Sequence, residues 1–506
     1  MAGAKSISSS GEAKFLILAG VLYALMHGGI LFIPSAVFWD DWVTFETSAS
    51  VTLENYRQAG AFFNLAGYLH IGLTSLGLWS YKVLTFVLMG GSGFFLNAIL
   101  KRNGVFGIRA RYLVVLLFML LPFNLARVAM IDFPYSICYA LFFAAWLAMD
   151  RYRVLAAALF FLSFNSNSLL VFYALPMLDL LYRTQERYTL NGLWRFFISR
   201  WELFFIPFLY FGMKTMLFKP EGFYAGYNQG YSLIAIPLAI KAQLKDVVNL
   251  KVDFAVMFCM LVPVYYALRR QFFIHRDPVS LINFTVLFGT GFLALVLGGI
   301  PYWILGYIPT FLEWTSRHQL LMPLGVALIM TALLTCATER VQRLLISLIL
   351  SACISYGVVG YVGFYVDWQK QKIILSQFKH DPLVARASFV IIDDQTKQYN
   401  AIHRNYRFYE WNGMLTHSLG DESRFAVEVG DVDAYRSGKF DDYFSSLYKA
   451  GAHRRRPDER AVVVTLRKGE GDDEERSFTL LPKIVYSSRP LSSEVLNGMN
   501  AATRQE

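Results

Sequence analysis

Apolar runs of about 20 residues, the length that crosses a bilayer's hydrocarbon as a helix, recur along the first 363 positions, separated by short polar connections. This pattern predicts helices over 14–34, 82–100, 112–131, 134–149, 154–164, 168–182, 201–218, 252–268, 280–300, 318–337 and 343–363, about eleven crossings in all. The stretch 154–182 is split at Asn165-Ser166-Asn167 into two short segments, since broken helices are tolerated where protein rather than lipid surrounds them. Beyond 364 the pattern changes. The stretches 387–394, 460–469 and 477–486 are rich in β-branched residues and bounded by turn-forming ones, which predicts strands. The expected fold is therefore a polytopic α-helical membrane protein over 1–363 with a soluble α+β domain over 364–506.

Composition agrees. Hydrophobic residues make up 55% of the 506, with 43 Phe and 29 Tyr, and the mean hydropathy is +0.40. Soluble domains are rarely so apolar. The net charge of +10 does not point to nucleic acid, because residues 364–506 carry 21 Lys+Arg against 21 Asp+Glu. The excess lies in the membrane part, 26 against 16, as the positive-inside rule requires. The basic connections 101–111, 150–153, 182–200, 269–276 and 339–343 share one side of the membrane, which puts the N-terminus in the cytoplasm and the C-terminal domain outside. The first apolar run has no small-x-small cleavage site after it and serves as a retained signal anchor. Cys138, Cys259, Cys336 and Cys353 lie in apolar runs, with neither zinc nor disulfide spacing.

The outer side then collects the unusual chemistry. "VFWDDWVTFE" (37–46) places Asp40 and Asp41 between Trp39 and Trp42, directly after the first apolar run. Aromatic flanks desolvate carboxylates, and desolvation with mutual repulsion raises the pKa of one member. A raised carboxylate acts as a general base toward a hydroxyl; the pair equally suits a divalent cation, Mg or Mn. The stretch 53–69, with Arg57, reads as a helix lying in the interface.

An acidic pair in the first outer loop of a many-helix protein resembles the GT-C superfamily of integral-membrane glycosyltransferases, which use polyprenyl-phosphate-linked sugars. The resemblance covers residues 10–363 and an appended outer domain. It implies that Asp41, or next Asp40, is the catalytic base, and that the donor is a polyprenyl-phosphate-linked sugar. The acceptor hydroxyl belongs to a glycan, lipid or protein. In "EWTSRHQ" (313–319), Arg317 is the expected phosphate ligand, because a guanidinium forks onto phosphate oxygens; snorkelling to lipid headgroups is the competing role. His318 is a further phosphate contact or a packed histidine, and Lys214 a second phosphate contact or a snorkelling side chain. Arg57 is a substrate contact, Glu313 a substrate contact or the partner of Arg317, and Asp132 either a helix cap or a substrate contact. Trp39, Trp42, Tyr135, Tyr227 and Tyr302 offer surfaces for a sugar.

No P-loop, GxGxxG after a strand, HExxH, GxSxG or CxxC is present. The cytoplasmic connections are too short for a nucleotide-sugar domain. The expected activity is inverting glycosyl transfer at the outer, periplasmic face of a bacterial inner membrane. The rival is a transporter or flippase of lipid-linked glycans, which needs the lipid-head site but no base; an acyltransferase and a non-catalytic assembly protein fit less well. Cysteine labelling from the outer side is expected to modify residues in 364–506 and spare those in 182–200. Labelling in the reverse pattern would remove the outer placement of the acidic pair.

Overall fold

Backbone continuity, which an apolar run does not report, decides how long each helix is. A computed structural model describes residues 9–184, 189–226, 230–248, 252–271, 281–311, 314–455, 460–469 and 480–491. Helix α1 (Ser9–His27) runs into a 3-10 turn ending at Phe32. The first outer loop folds into α2 (Asp41–Thr44), α3 (Ala49–Gln58) and α4 (Leu65–Leu76). The single interfacial helix expected over 53–69 is thus two helices, broken where Phe63 and Asn64 take positive φ. Then come α5 (Trp79–Asn103), α6 (Ile108–Leu120), α7 (Phe133–Ala148), α8 (Arg153–Ser163), α9 (Ser168–Phe172) and α10 (Ala174–Arg183). The membrane part continues through α11 (Leu190–Ser199), α12 (Trp201–Leu217), α13 (Ala235–Val248), α14 (Phe254–Gln271), α15 (Leu281–Trp303), α16 (Met322–Thr335) and α17 (Glu339–His380).

The expectation of about eleven crossings is corrected. Among the described residues, five helical stretches are long and apolar enough to span a membrane: 11–32, 79–103, 130–148, 284–303 and 339–380. The pair α11 and α12, bent by 63°, makes at most a sixth. The remaining apolar runs are interrupted. Pro122 forces Leu121 into an extended conformation (ψ 136°) and ends α6 after 13 residues. The break read at 165–167 separates α8, 11 residues, from α9, 5 residues. Helix α16 has 14 residues. What stands is a multi-pass helical membrane character.

The boundary set at 364 falls inside α17, a 42-residue helix that continues to His380. At ~1.5 Å per residue it is roughly 60 Å long, so its last turns leave the membrane part and enter the C-terminal domain. There β1 (Phe389–Asp394) is followed by α18 (Phe408–Leu419), β2 (Phe425–Glu428), β3 (Ala461–Lys468) and β4 (Ile484–Pro490). The sheet order is β2-β1-β3-β4. β1 pairs in parallel with β2 (Phe389 opposite Phe425) and β3 (Phe389 opposite Ala461), and β3 pairs antiparallel with β4 (Val462 opposite Pro490). Parallel neighbours need a crossover, which α18 supplies between β1 and β2. The strand expected at 477–486 lies instead at 484–490, and residues 470–479 fall outside the described ones.

One sheet face, with Val390, Ile392 and Val464, packs on Ile374 and Phe378 of α17, Trp411 of α18, and Trp42 and Val37 of the first outer loop. The domain and that loop therefore share a core. A buried polar network ties α17 to the loop after β1. Lys370 reaches both oxygens of Asp394 (2.8 and 2.6 Å) and Oδ1 of Asn400 (2.7 Å). Asp367 accepts from Gln371 Nε2 and the Ala401 N–H (2.8 Å each) and from the Tyr406 hydroxyl. Lys370→Met leaves Asp394 buried without its cation and is expected to cost about 3–5 kcal/mol. A lowered thermal midpoint and new tryptic cleavage within 394–410 would report it; the exposed Lys379→Met serves as the neutral control.

Candidate functional site

The acidic pair divides into two unlike carboxylates. Asp41 opens α2 and is fully buried. Its Oδ2 accepts from the N–H groups of Phe38 (3.2 Å) and Met130 (2.9 Å), and its Oδ1 from the N–H of Ile131 (2.9 Å). The Lys82 ammonium, also buried and bonded to the Val128 carbonyl, acts on it electrostatically. Burial pushes the Asp41 carboxyl up to about 6 against the pull of Lys82 and the three amides. Asp41 thus clamps the loop after α1 to the turn 130–132, with three of its acceptor positions engaged.

Asp40 is only partly buried. It follows Trp39, which sits in the left-handed region at φ +50°, a conformation that costs a non-glycine residue about 1–3 kcal/mol. Burial raises the Asp40 pKa, opposed by the Arg317 charge, a hydrogen bond with the Tyr409 side chain and the Arg407 charge. Tyr409 comes from α18. The neighbouring Glu410 accepts the Trp39 N–H (3.1 Å) and takes Arg404 Nη1 on both oxygens (2.7 and 2.8 Å). The Arg404 guanidinium lies 5.0 Å from the Trp39 ring centre. A Cβ on Gly413 would come within 2.7 Å of the Trp42 Cβ, so only glycine lets α18 approach α2 this closely. "RFYEWNG" (407–413) is thus a structural half of the site.

Opposite Asp40 lies the 3-10 turn Trp314–Gln319. Arg317 stacks on Trp314 at 4.3 Å and its charge acts on both Asp40 and Asp132. Its Nε–H donates to His318 Nε2 (3.3 Å). Burial, then the Arg317 charge, lowers the His318 pKa to about 3, so the ring is neutral with its proton on Nδ1. That Nδ1 is buried and has no hydrogen-bond partner among the described residues. The His318 ring is stacked on Tyr302 (4.8 Å) and close to Tyr307 (5.0 Å). Asp132, 2% exposed, precedes α7 without making a capping bond, and neither carboxylate oxygen has a hydrogen-bond partner among the described residues. A buried polar atom without a partner is costly in a folded protein. Here an unpartnered donor and an unpartnered carboxylate belong to residues that flank the same guanidinium.

Other expected site residues are placed elsewhere. Lys214 donates to the Gly60 carbonyl, holding α12 to the first outer loop. Arg57 forms exposed ion pairs with Glu54 and Glu221 (2.8 Å each). Trp39 and Trp42 are buried, and the Trp42 indole donates to Gln371 (3.1 Å). Tyr135 is 39% exposed, and the Tyr302 hydroxyl donates to Ser168 (3.1 Å). Tyr227 and Glu313 lie outside the described residues. A divalent cation at the acidic pair fits poorly, since the Asp41 oxygens are taken by amides. Among the described residues, no three His, Cys, Asp or Glu side chains come together as a metal site.

Sequence reasoning missed Tyr409, Glu410, Arg404 and Lys82; the only signal was the polar-aromatic run at 407–413 and a lysine at the head of an apolar run. No protein-family model, curated protein or solved structure matches this chain.

Asp41→Asn replaces one acceptor oxygen with an amide facing an N–H donor, and is expected to cost about 2–3 kcal/mol. Asp40→Asn keeps an acceptor for Tyr409 and is expected to cost about 1 kcal/mol or less. Because burial raises the Asp41 pKa, its contribution to stability is full below its ordinary value of 3.8 and is lost as pH rises through about 6. Thermal unfolding across that window should therefore flatten in Asp41→Asn.

Proposed function

We propose that the chain transfers a sugar from a polyprenyl-phosphate carrier to an acceptor hydroxyl, with Asp40 as the base. The observation that carries this reading is the meeting of Asp40, Arg317, Asp132 and His318 in one place. A base, a fixed cation and two unpartnered polar groups stand together where a hydroxyl-rich ring satisfies both a donor and an acceptor. The resemblance to GT-C enzymes supports the same reading, together with its setting at the periplasmic face of a bacterial inner membrane. Choosing Asp40 over Asp41 follows from their surroundings: Asp41 has committed three of its about four acceptor positions to amides, whereas Asp40 takes one hydrogen bond from Tyr409.

The Asp40 carboxylate takes the proton of the acceptor hydroxyl. The acceptor oxygen attacks the anomeric carbon, and the bond from that carbon to the carrier's phosphate oxygen breaks, its electron pair passing to the phosphate. Arg317 holds the developing negative charge, where a preplaced guanidinium acts on the transition state without reorganising. Attack opposite the leaving group inverts the anomeric centre. His318 Nδ1–H and Asp132 bind sugar hydroxyls.

Asp40→Asn is expected to keep donor binding and lower transfer by roughly two to four orders of magnitude. Arg317→Ala should weaken donor binding strongly, and Arg317→Lys should restore it in part, because an ammonium lacks the planar fork. With the Asp40 pKa raised, transfer should fall on acidification with an apparent pKa above the ordinary 3.8. The assay must detect the transferred sugar itself. Undiminished transfer by Asp40→Asn would sink the base assignment, and carrier translocation without any transfer would replace the reading with a flippase.

A further inference from the structure

A cavity lies at the other end of α5 from Lys82. Lys82, which faces Asp41, and Asn103 stand at opposite ends of α5, roughly 30 Å apart at ~1.5 Å per residue. At the Asn103 end a cavity of about 440 Å³ opens among α5, α7, α10, α15 and α16. Such a volume lies in the range that holds a drug-sized ligand, ~300–1,000 Å³. Leu178, Leu293 and Leu328 are among its apolar walls, and Trp146, Asp179 and Asn103 mark its polar rim. Asp179 is saturated, accepting from Trp146 Nε1 (2.8 Å), Arg102 Nη2 (3.2 Å) and Arg183 Nη2 (3.2 Å), so it asks for no ligand cation. The buried Asn103 Oδ1 has no hydrogen-bond partner among the described residues and calls for a donor. Arg102 and Arg183 reach the cavity through Asp179, and the connections joined to them by sequence or ion pairs, 101–111, 150–153, 182–183 and 339–343, carry nine Lys and Arg against two acidic residues. Glu12, Asp179 and Glu202 of adjoining helices pair some of these cations, which leaves the rim positive.

We propose that this cavity binds one anionic glycerophospholipid of the surrounding leaflet, with an acyl chain against the leucine walls. Its phosphate meets the basic rim, and a headgroup hydroxyl donates to Asn103. An apolar interior, a positive rim and an unpartnered acceptor together fit phosphatidylglycerol better than phosphatidylcholine, whose headgroup has no donor. The site is independent of the chemistry proposed at Asp40.

The test uses the full chain, delipidated in detergent, with phosphatidylglycerol or phosphatidylcholine added and bound lipid read by native mass spectrometry. Phosphatidylglycerol is expected to bind in preference, with inorganic phosphate not competing. Ala294→Phe, which fills the cavity from α15, should lower binding about tenfold or more, since displacing even two methylenes from an apolar wall is worth that factor. Should Ala294→Phe not fold, phosphatidylglycerol brominated on its acyl chain is added to wild type and to Trp146→Phe. The difference between them should show quenching of Trp146. Equal binding of the two lipids, competition by phosphate, preferential binding of a polyprenyl phosphate, unchanged binding by a folded Ala294→Phe, or no Trp146 quenching would each overturn the proposal.

Discussion

The packing of α2 against the start of α7 is organised by the need to satisfy one buried carboxylate. Removing Asp41 from water is tolerable only because three backbone N–H groups and the Lys82 ammonium surround it. Two of those amides, from Met130 and Ile131, sit on the turn that leads into α7, so satisfying Asp41 fixes where Asp132 stands. The third, from Phe38, closes the loop on itself and fixes Asp40 beside it. Position therefore passes from a structural acid to its neighbours through hydrogen bonds that the backbone cannot give up cheaply.

The C-terminal domain belongs to the same arrangement. Its core includes Trp42 and Val37 of the first outer loop, and α18 brings Tyr409 to Asp40 and Glu410 to the Trp39 amide. The polar groups late in α17, which would be expensive in hydrocarbon, are instead consumed by the domain: Lys370 by Asp394 and Asn400, Asp367 by Tyr406 and Ala401. A continuous helix with a buried ionic network at its end leaves no flexible linker there, so motion of the domain is motion of the site.

Much of this was legible in the sequence. The acidic pair, Arg317, His318 and Asp132 could be singled out because their chemistry is unusual beside apolar runs. Their separate roles could not, since Asp40 and Asp41 are identical residues that differ only in which amides reach them, and those amides lie 89 and 90 positions away. The helix count failed for a related reason. Hydropathy sums composition over a window, whereas a proline such as Pro122 ends the hydrogen-bonded ladder inside that window, and the short segments on either side of the break read at 165–167 each count among the expected crossings. β2 escaped because four residues, Phe425–Glu428, are too few to show a period.

The division of labour between the two acids follows from counting lone pairs. An ionised carboxylate offers about four acceptor positions. Asp41 commits three to amides and faces the Lys82 ammonium, so the bonds that hold the loop in place take up most of its capacity. Asp40 gives up far less: one phenol from Tyr409, with Arg317 acting as a charge. Moving a proton onto Asp40 therefore breaks no backbone hydrogen bond, as the role of base proposed for it requires. The adjacent pair makes sense as one acid kept immobile so that the next can change its protonation state without the site changing shape.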